Sequence, residues 1–256
     1  MLQAIKNLGA KDTGVNLWGF WLIAVLSLFL YNVPIVGLLL APVNTFATMV
    51  HELSHAFVCM ATGGWVSGLT IVSDGEGHGG LTFCHGGMSF LYTQAGYLGT
   101  AVFGCMLIFA AQFPKMSKGL LCLMGATTGI ASVFLVGFNI FNTGWQGFFS
   151  MLAGLAISAF FLWAGMKWKP QFANILLLFI AVQTALNSVQ SLIYLAQVSL
   201  GFASIGTYSD ATSMQQMTHI SAGFWSVFWV LSSLVMLVTT VMFTYGRGLV
   251  PHKAKY

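Results

Sequence analysis

The chain has 256 residues, of which 57% are hydrophobic and only 5% are charged, and its mean hydropathy is +0.85. Because so few polar groups cannot form a water-facing surface, this composition excludes a soluble domain and indicates a polytopic protein of the lipid bilayer. The formal net charge of +4 is spread over termini and loops without a basic patch, so nucleic acid is not an expected partner. We find no internal repeat and treat residues 1–256 as a single membrane domain.

Seven apolar stretches are long enough to cross a bilayer whose hydrocarbon core is about 30 Å thick. The first is expected to end at Pro42, because the sequence from Ala41 to Asn44 predicts a break between two helices. The predicted spans lie near 17–42, 44–62, 89–112, 118–138, 146–166, 172–197 and 221–245.

Residues 65–85, between the second and third spans, have the composition of a β-hairpin. Residues 65–73 are rich in β-branched side chains, 74–80 form a glycine-rich turn, and 81–85 fit a returning strand. Such a hairpin must be sheltered or wet, because open sheet edges are not tolerated against lipid. The predicted fold class is therefore an all-α polytopic membrane protein of about seven transmembrane helices, with a small β-hairpin after the second.

Basic residues in the loops predict the orientation in the membrane. With seven spans, Lys6 and Lys11 lie on one side of the bilayer. The other side has Lys115, Lys118, Lys167, Lys169, Arg247, Lys253 and Lys255. This excess predicts a cytoplasmic C-terminus and an external N-terminus, or an internal N-terminus if the first apolar stretch is re-entrant.

The second predicted span contains an H-E-x-x-H motif, His51-Glu52-Leu53-Ser54-His55, which chance would produce in roughly one chain in a thousand of this composition. Residues four apart share a helix face, so both imidazoles can bind one metal ion, with Glu52 beside a water on that ion. This is the zinc-hydrolase arrangement. Ionisable groups at membrane depth are costly and indicate a functional site. We therefore predict a Zn²⁺ site with His51 and His55 as ligands and Glu52 as the catalytic base.

A zinc site of this kind needs a third protein ligand. Asp210 is the only acid after residue 76, and we predict that it is this ligand. It could instead cap a helix at 211–220, since an aspartate suits that position. His219, His85 and His78 remain alternative third ligands.

Asn187 and Gln190 form a further polar pair within the span near 172–197. Their spacing of three residues places them on one helix face. They could orient a ligand or bind a substrate backbone, or they could form hydrogen bonds between helices. The sequence leaves both interpretations open.

The four cysteines contain no C-x-x-C pair. Cys59, Cys105 and Cys122 lie in apolar segments, where a cysteine is usually a small buried hydrophobic residue. Cys84 lies next to His85 in the polar loop between the second and third spans, and it is the one cysteine we consider a candidate for reactivity.

Taken together, these motifs resemble those of the site-2 protease group of intramembrane zinc metalloproteases, and most closely its B-type branch of bacteria and plants. The similarity extends over most of the chain. After the H-E-x-x-H motif it rests on Thr62-Gly63-Gly64, the turn from Ser73 to Gly77, Ala95-Gly96-Tyr97-Leu98-Gly99 and Ser209-Asp210-Ala211. The resemblance implies proteolysis of transmembrane substrates, with His51 and His55 as zinc ligands and Glu52 as general base. It also implies a bacterial inner membrane or a plastid membrane.

The predicted function is zinc-dependent hydrolysis of peptide bonds in membrane-protein or membrane-peptide substrates. A non-catalytic protein of the same fold, acting as a regulator or substrate-holding factor, is the alternative if Asp210 is not a ligand. A transporter of metal ions or small solutes is a second alternative. It is disfavoured because the chain lacks a repeat and a matched pair of broken helices.

Overall fold

The computed structural model describes residues 25, 34–72, 79–137, 140–199, 201 and 209–245. The helices in this part of the chain are α1 (Pro34–Ala61), α2 (Ser89–Ala110), α3 (Pro114–Ala131), α4 (Ile140–Lys167), α5 (Pro170–Ser199), α6 (Asp210–Thr218) and α7 (Ala222–Tyr245). The strands β1 (Trp65–Thr70) and β2 (Leu81–His85) form an antiparallel hairpin between α1 and α2. The predicted fold class, a helical membrane protein with a small hairpin, is confirmed.

Five helices of the described chain are long and apolar enough to cross a membrane. They are α2, α3 together with the π-helical turn Ser132–Val136, α4 from Thr143, α5 and α7. These helices overlap the predicted spans from residue 89 onward. The first predicted span, 17–42, lies mostly outside the described residues. The chain is therefore an integral membrane protein, and α1 and the short α6 complete its helical part.

The predicted break between residues 41 and 44 is wrong, because α1 runs from Pro34 to Ala61 without interruption and contains Pro42. Proline removes one backbone donor, but membrane helices tolerate it where nearby side chains bond to backbone groups. The missing donor is the partner that the carbonyl of Leu38 would have in an unbroken helix, and the loss of this one hydrogen bond does not end α1. One long helix therefore leads directly into the H-E-x-x-H motif.

Helix α5 lies at the centre of the bundle and is the most buried of the five apolar helices. It approaches α2 closely at Gly104, where an added Cβ would lie 3.0 Å from the backbone nitrogen of Ala185. Small residues at such crossings let membrane helices pack by van der Waals contact. In α1, Phe46 packs edge-to-face against Phe103 of α2 and Phe161 of α4. These contacts hold α1 against α2 and α4, and α2 against α5.

One end of the hairpin is buried against helices, and the other end, at Trp65 and His85, is exposed. Leu69 and Ile71 are buried, and Gly68 pairs with Phe83 after a bulge at Ser67. The Ser150 hydroxyl of α4 accepts hydrogen bonds from the amides of Ile71 and the next residue at 3.0 and 3.1 Å. Backbone groups beyond the end of β1 thus find partners within the protein, as polar backbone near lipid requires.

Candidate metal centre

The two motif histidines lie on one face of α1, as their four-residue spacing predicts. The Nε2 atoms of His51 and His55 are 3.0 Å apart. Both side chains are largely buried, with exposed fractions of 20% and 9%. A small opening therefore leads to His51, while His55 lies deeper against α2.

Asp210 joins the two histidines from the start of α6. Its Oδ2 atom lies 3.3 Å from Nε2 of His51 and 3.3 Å from Nε2 of His55. The cap of α6 is Ser209, whose hydroxyl accepts from the Thr212 amide at 3.2 Å, while the Thr212 hydroxyl accepts from the Ser209 amide. Because Ser209 performs the capping, the Asp210 side chain is directed to the histidines instead.

The three ligand atoms have the spacing that a tetrahedral zinc site requires. Ligands about 2.0–2.1 Å from a tetrahedral zinc are about 3.3 Å from one another. The observed separations of 3.0, 3.3 and 3.3 Å match this edge length. His55 also donates from Nδ1 to the carbonyl of Tyr92 at 2.6 Å, which leaves its Nε2 lone pair free. Such an outer hydrogen bond is typical of metal-binding histidines.

Helix α2 provides a glycine where the imidazoles need room. A Cβ at Gly96 would collide with both rings, at 2.5 Å from Nε2 of His51 and closer still to His55. The neighbouring Tyr97 meets the His51 ring edge-on, with centroids 4.6 Å apart, and stacks on Trp229 of α7 at 5.6 Å. Gly96 thus leaves room for both imidazoles, and Tyr97, stacked on Trp229, packs against the ring of His51.

The electrostatics of the cluster favour an ionised aspartate. Burial alone raises the pKa of the Asp210 carboxyl, but in the metal-free protein the protonated imidazole of His55 and hydrogen bonds from both histidines outweigh this effect and lower that pKa well below its usual range. An ionised carboxylate is the form that binds metal. The donor set of two imidazoles and one carboxylate therefore fits a divalent zinc ion.

Glu52 is next to the cluster and is almost completely buried, at 4% exposure. The Thr82 hydroxyl of β2 donates to its Oε2 atom at 2.6 Å and lies 3.0 Å from its backbone carbonyl oxygen. An added Cβ at Gly80 would lie 2.9 Å from Oε1, so the hairpin passes close to the carboxylate. The base predicted from the motif is thus enclosed by β2 and the residue before it.

A polar cavity of about 630 Å³ opens onto the centre between α1, α2, α5, α6 and the hairpin. Asn187 of α5 lines it and donates to Asn44 of α1 at 3.1 Å, so this residue forms a hydrogen bond between helices. The side chain of Gln190 is not among those described. Further polar lining comes from Ser188, Ser191, Ser213 and Gln216.

The alternative third ligands lie elsewhere or outside the described residues. His219 ends α6 in a left-handed conformation, with φ of 60°. His85 is hydrogen-bonded to Ser67 at 3.0 Å and stacked on Trp65 at the exposed end of the hairpin. In the described part of the chain, one group of histidine, cysteine and acidic side chains could hold a metal, namely His51, His55 and Asp210. His78 lies outside the described residues.

A disulfide between Cys59 and Cys84 is the feature that the sequence did not predict. Cys59 was expected to be a buried hydrophobic residue and Cys84 a free thiol, but the bond joins α1 to β2 across a Cα separation of 6.2 Å. No sequence motif predicts this pair, because the two cysteines come together only when the hairpin packs on α1. Cys105 and Cys122 are free.

Comparison with known proteins identifies the family of the chain. The family model for Peptidase M50B-like proteins matches residues 20–240. No curated protein and no solved structure shows significant similarity to the chain. The resemblance to site-2 proteases is confirmed at the level of the family, since the match extends over most of the sequence. This membrane protein, with its histidine and aspartate cluster, therefore belongs to the Peptidase M50B-like family.

Proposed function

We propose that this protein is a zinc-dependent intramembrane protease that hydrolyses peptide bonds in membrane-protein or membrane-peptide substrates. The observation that supports it best is the triangle of ligand atoms formed by His51, His55 and Asp210, with sides of 3.0, 3.3 and 3.3 Å, beside a buried glutamate. Family membership supports the same class of chemistry. The membrane would be a bacterial inner membrane or a plastid membrane.

The zinc ion would be held by Nε2 of His51, Nε2 of His55 and a carboxylate oxygen of Asp210. When bound, zinc supplies Lewis-acid chemistry, polarising a carbonyl oxygen and lowering the pKa of water towards about 7. The Tyr92 carbonyl accepts the proton on Nδ1 of His55 and so stabilises the tautomer in which Nε2 is unprotonated and can bind the metal. Asp210 adds a negative charge that offsets part of the charge of a divalent ion.

Glu52 would act as the proton carrier of the reaction. Its carboxylate accepts the proton of the attacking water and then delivers it to the nitrogen of the leaving amine. The hydrogen bond from Thr82 occupies Oε2, so Oε1 would be the oxygen that takes this proton. Burial among hairpin and helix atoms keeps bulk water from competing for it.

A transmembrane substrate must unwind before it reacts, because a helix hides its peptide groups. The polar cavity of about 630 Å³ has room for a short extended segment. An outer edge of the two-stranded hairpin could pair with that segment through backbone hydrogen bonds. This pairing would present a peptide bond to the centre without a sequence-specific contact.

The test compares wild type with Glu52→Gln and Asp210→Ala, each purified in detergent. Zinc content is measured by elemental analysis. Cleavage is measured with labelled casein and with a transmembrane peptide in liposomes. We expect about one zinc per chain in wild type and Glu52→Gln, cleavage by wild type alone, and loss of zinc in Asp210→Ala. His85→Ala is the matched control and should match wild type. Turnover by Glu52→Gln would refute the proposal. A wild type without zinc or cleavage would favour a non-catalytic regulator, and zinc flux into liposomes would favour a transporter.

A further inference from the structure

Two tethers join the same face of α1 to the same face of β2. The first is the hydrogen bond of 2.6 Å from the Thr82 hydroxyl to Glu52, and the second is the disulfide from Cys84 to Cys59. Residues seven apart on a helix share a face, and residues two apart on a strand share a face. Glu52 therefore contacts Thr82, and Cys59 contacts Cys84, as two successive attachments between the helix and the strand.

The disulfide between Cys59 and Cys84 is the covalent one of these two attachments. The chain just after β1 is attached to α4 through the Ser150 hydroxyl. Strand β2 is attached to α1 through Thr82 and Cys84. Just beyond β2, the Met88 amide donates to the Thr62 hydroxyl at 2.9 Å, near the end of α1. A two-stranded hairpin is at best marginally stable by itself, so its placement depends on such attachments. The bond between Cys59 and Cys84 is the strongest of those between β2 and α1.

The position of the disulfide in the membrane is compatible with a lasting bond. Helix α2 begins beside the hairpin and ends just before Lys115, and α4 ends at Lys167, so the basic residues lie at the opposite end of the bundle. Basic loops face the cytoplasm, whereas disulfides persist in oxidising compartments. The predicted orientation therefore places the hairpin end away from the cytoplasm, in a compartment in which the bond between Cys59 and Cys84 can persist.

We propose that Thr82 is a positioning residue for Glu52 and that the Cys59–Cys84 disulfide holds Thr82 in that place. Thr82 fixes one carboxylate oxygen of Glu52 and thereby the orientation of the other. The disulfide, two residues along β2, prevents the strand from moving away from the helix. This inference rests on the proposed role of Glu52 as the base, but its structural half can be measured without turnover.

The activity test uses substitutions that separate the hydroxyl from the bulk of the side chain. Thr82→Val should lower kcat for labelled casein by about tenfold or more, while KM and zinc content stay within about twofold. Thr82→Ser, which keeps the hydroxyl, should restore most of the lost rate. A Thr82→Val enzyme with wild-type kcat, or a Thr82→Ser enzyme as slow as Thr82→Val, would overturn the positioning role.

The disulfide is tested by Cys59→Ala/Cys84→Ala, with Cys105→Ser/Cys122→Ser as the matched control on the free cysteines. The first pair should lower kcat in the same direction as Thr82→Val, and the control pair should not. If the disulfide acts through Thr82, adding Thr82→Val to Cys59→Ala/Cys84→Ala should cause little further loss. Two losses that multiply would show independent effects and would overturn the link between them.

Hydrogen exchange at residues 79–88 supplies a measurement that does not depend on catalysis. We expect exchange in this segment to rise about tenfold or more in Cys59→Ala/Cys84→Ala, with exchange in α3 unchanged. Unchanged exchange there would refute the structural half of the inference, whatever the activity. A zinc-loaded wild type that cleaves neither casein nor the peptide would refute the proposed function, and the exchange result would then decide the role of the disulfide by itself.

Discussion

Asp210 lies 3.3 Å from Nε2 of His55, although four helices separate the two residues along the chain. The distance matches the edge of a tetrahedral zinc site, and the Ser209 cap fixes the start of α6 that makes it possible.

Asp210→Asn should weaken zinc binding by about 100-fold or more, because loss of a direct ligand exceeds the roughly 10–100-fold effect of removing an outer partner. Competition with a chromophoric chelator measures the Kd. His219→Asn is the control on the same helix, since asparagine tolerates the left-handed conformation at that position. If His219→Asn weakens zinc binding by about 100-fold and Asp210→Asn does not, His219 is the third ligand instead.

Gly96→Ala should prevent zinc binding while leaving the bundle folded. The new methyl group would overlap both imidazoles, so the rings must leave the geometry of the centre. We expect a loss of zinc affinity of at least about tenfold. Gly119→Ala is the matched control, because nothing lies within 4 Å of its added Cβ. Zinc content equal to wild type in Gly96→Ala would contradict the geometry of the centre.

Ser209→Ala should loosen the start of α6 and thereby the position of Asp210. Loss of an N-cap costs about 1 kcal/mol, which would appear as roughly a fivefold weaker zinc Kd. Ser209→Thr keeps a capping hydroxyl and should retain most of the affinity. Isothermal titration of the two variants measures the difference, and identical Kd values would show that the cap does not position the ligand.

Asn187 and Asn44 should behave as a structural pair. A double-mutant cycle with Asn187→Ala and Asn44→Ala, followed by thermal unfolding in detergent, should give a coupling of about 0.6 kcal/mol, typical of hydrogen bonds between membrane helices. KM should change by less than about twofold. A large rise in KM with no coupling would show that Asn187 binds the substrate backbone instead.

Removal of the metal should abolish cleavage reversibly. Treatment with 1,10-phenanthroline, followed by gel filtration, should leave an inactive protein, since zinc provides the Lewis acid of the reaction. Added Zn²⁺ should restore activity, whereas Mg²⁺ should not, because a site of two imidazoles and one carboxylate selects zinc. Full activity of the metal-free protein would refute the proposed chemistry.

Local spacing was sufficient for part of this architecture. Residues four apart must share a helix face, so His51 and His55 could be paired from their positions alone, and Glu52 follows from the same motif. The hairpin at 65–85 was predictable because β-branched runs flank a glycine-rich turn. Pro42 shows the limit of such rules, since α1 tolerates the one backbone donor that this proline removes and continues where the sequence predicts a break.

The sequence by itself therefore determined the membrane class, the hairpin and the paired histidines with their glutamate, because each depends on composition or on contacts within a few residues. Only the tertiary structure decided that Asp210 meets the histidines, that Thr82 bonds to Glu52 and that Cys59 is joined to Cys84. Those contacts link segments far apart in the chain. Their distances depend on how α1, α6 and β2 pack against one another, which no local pattern specifies.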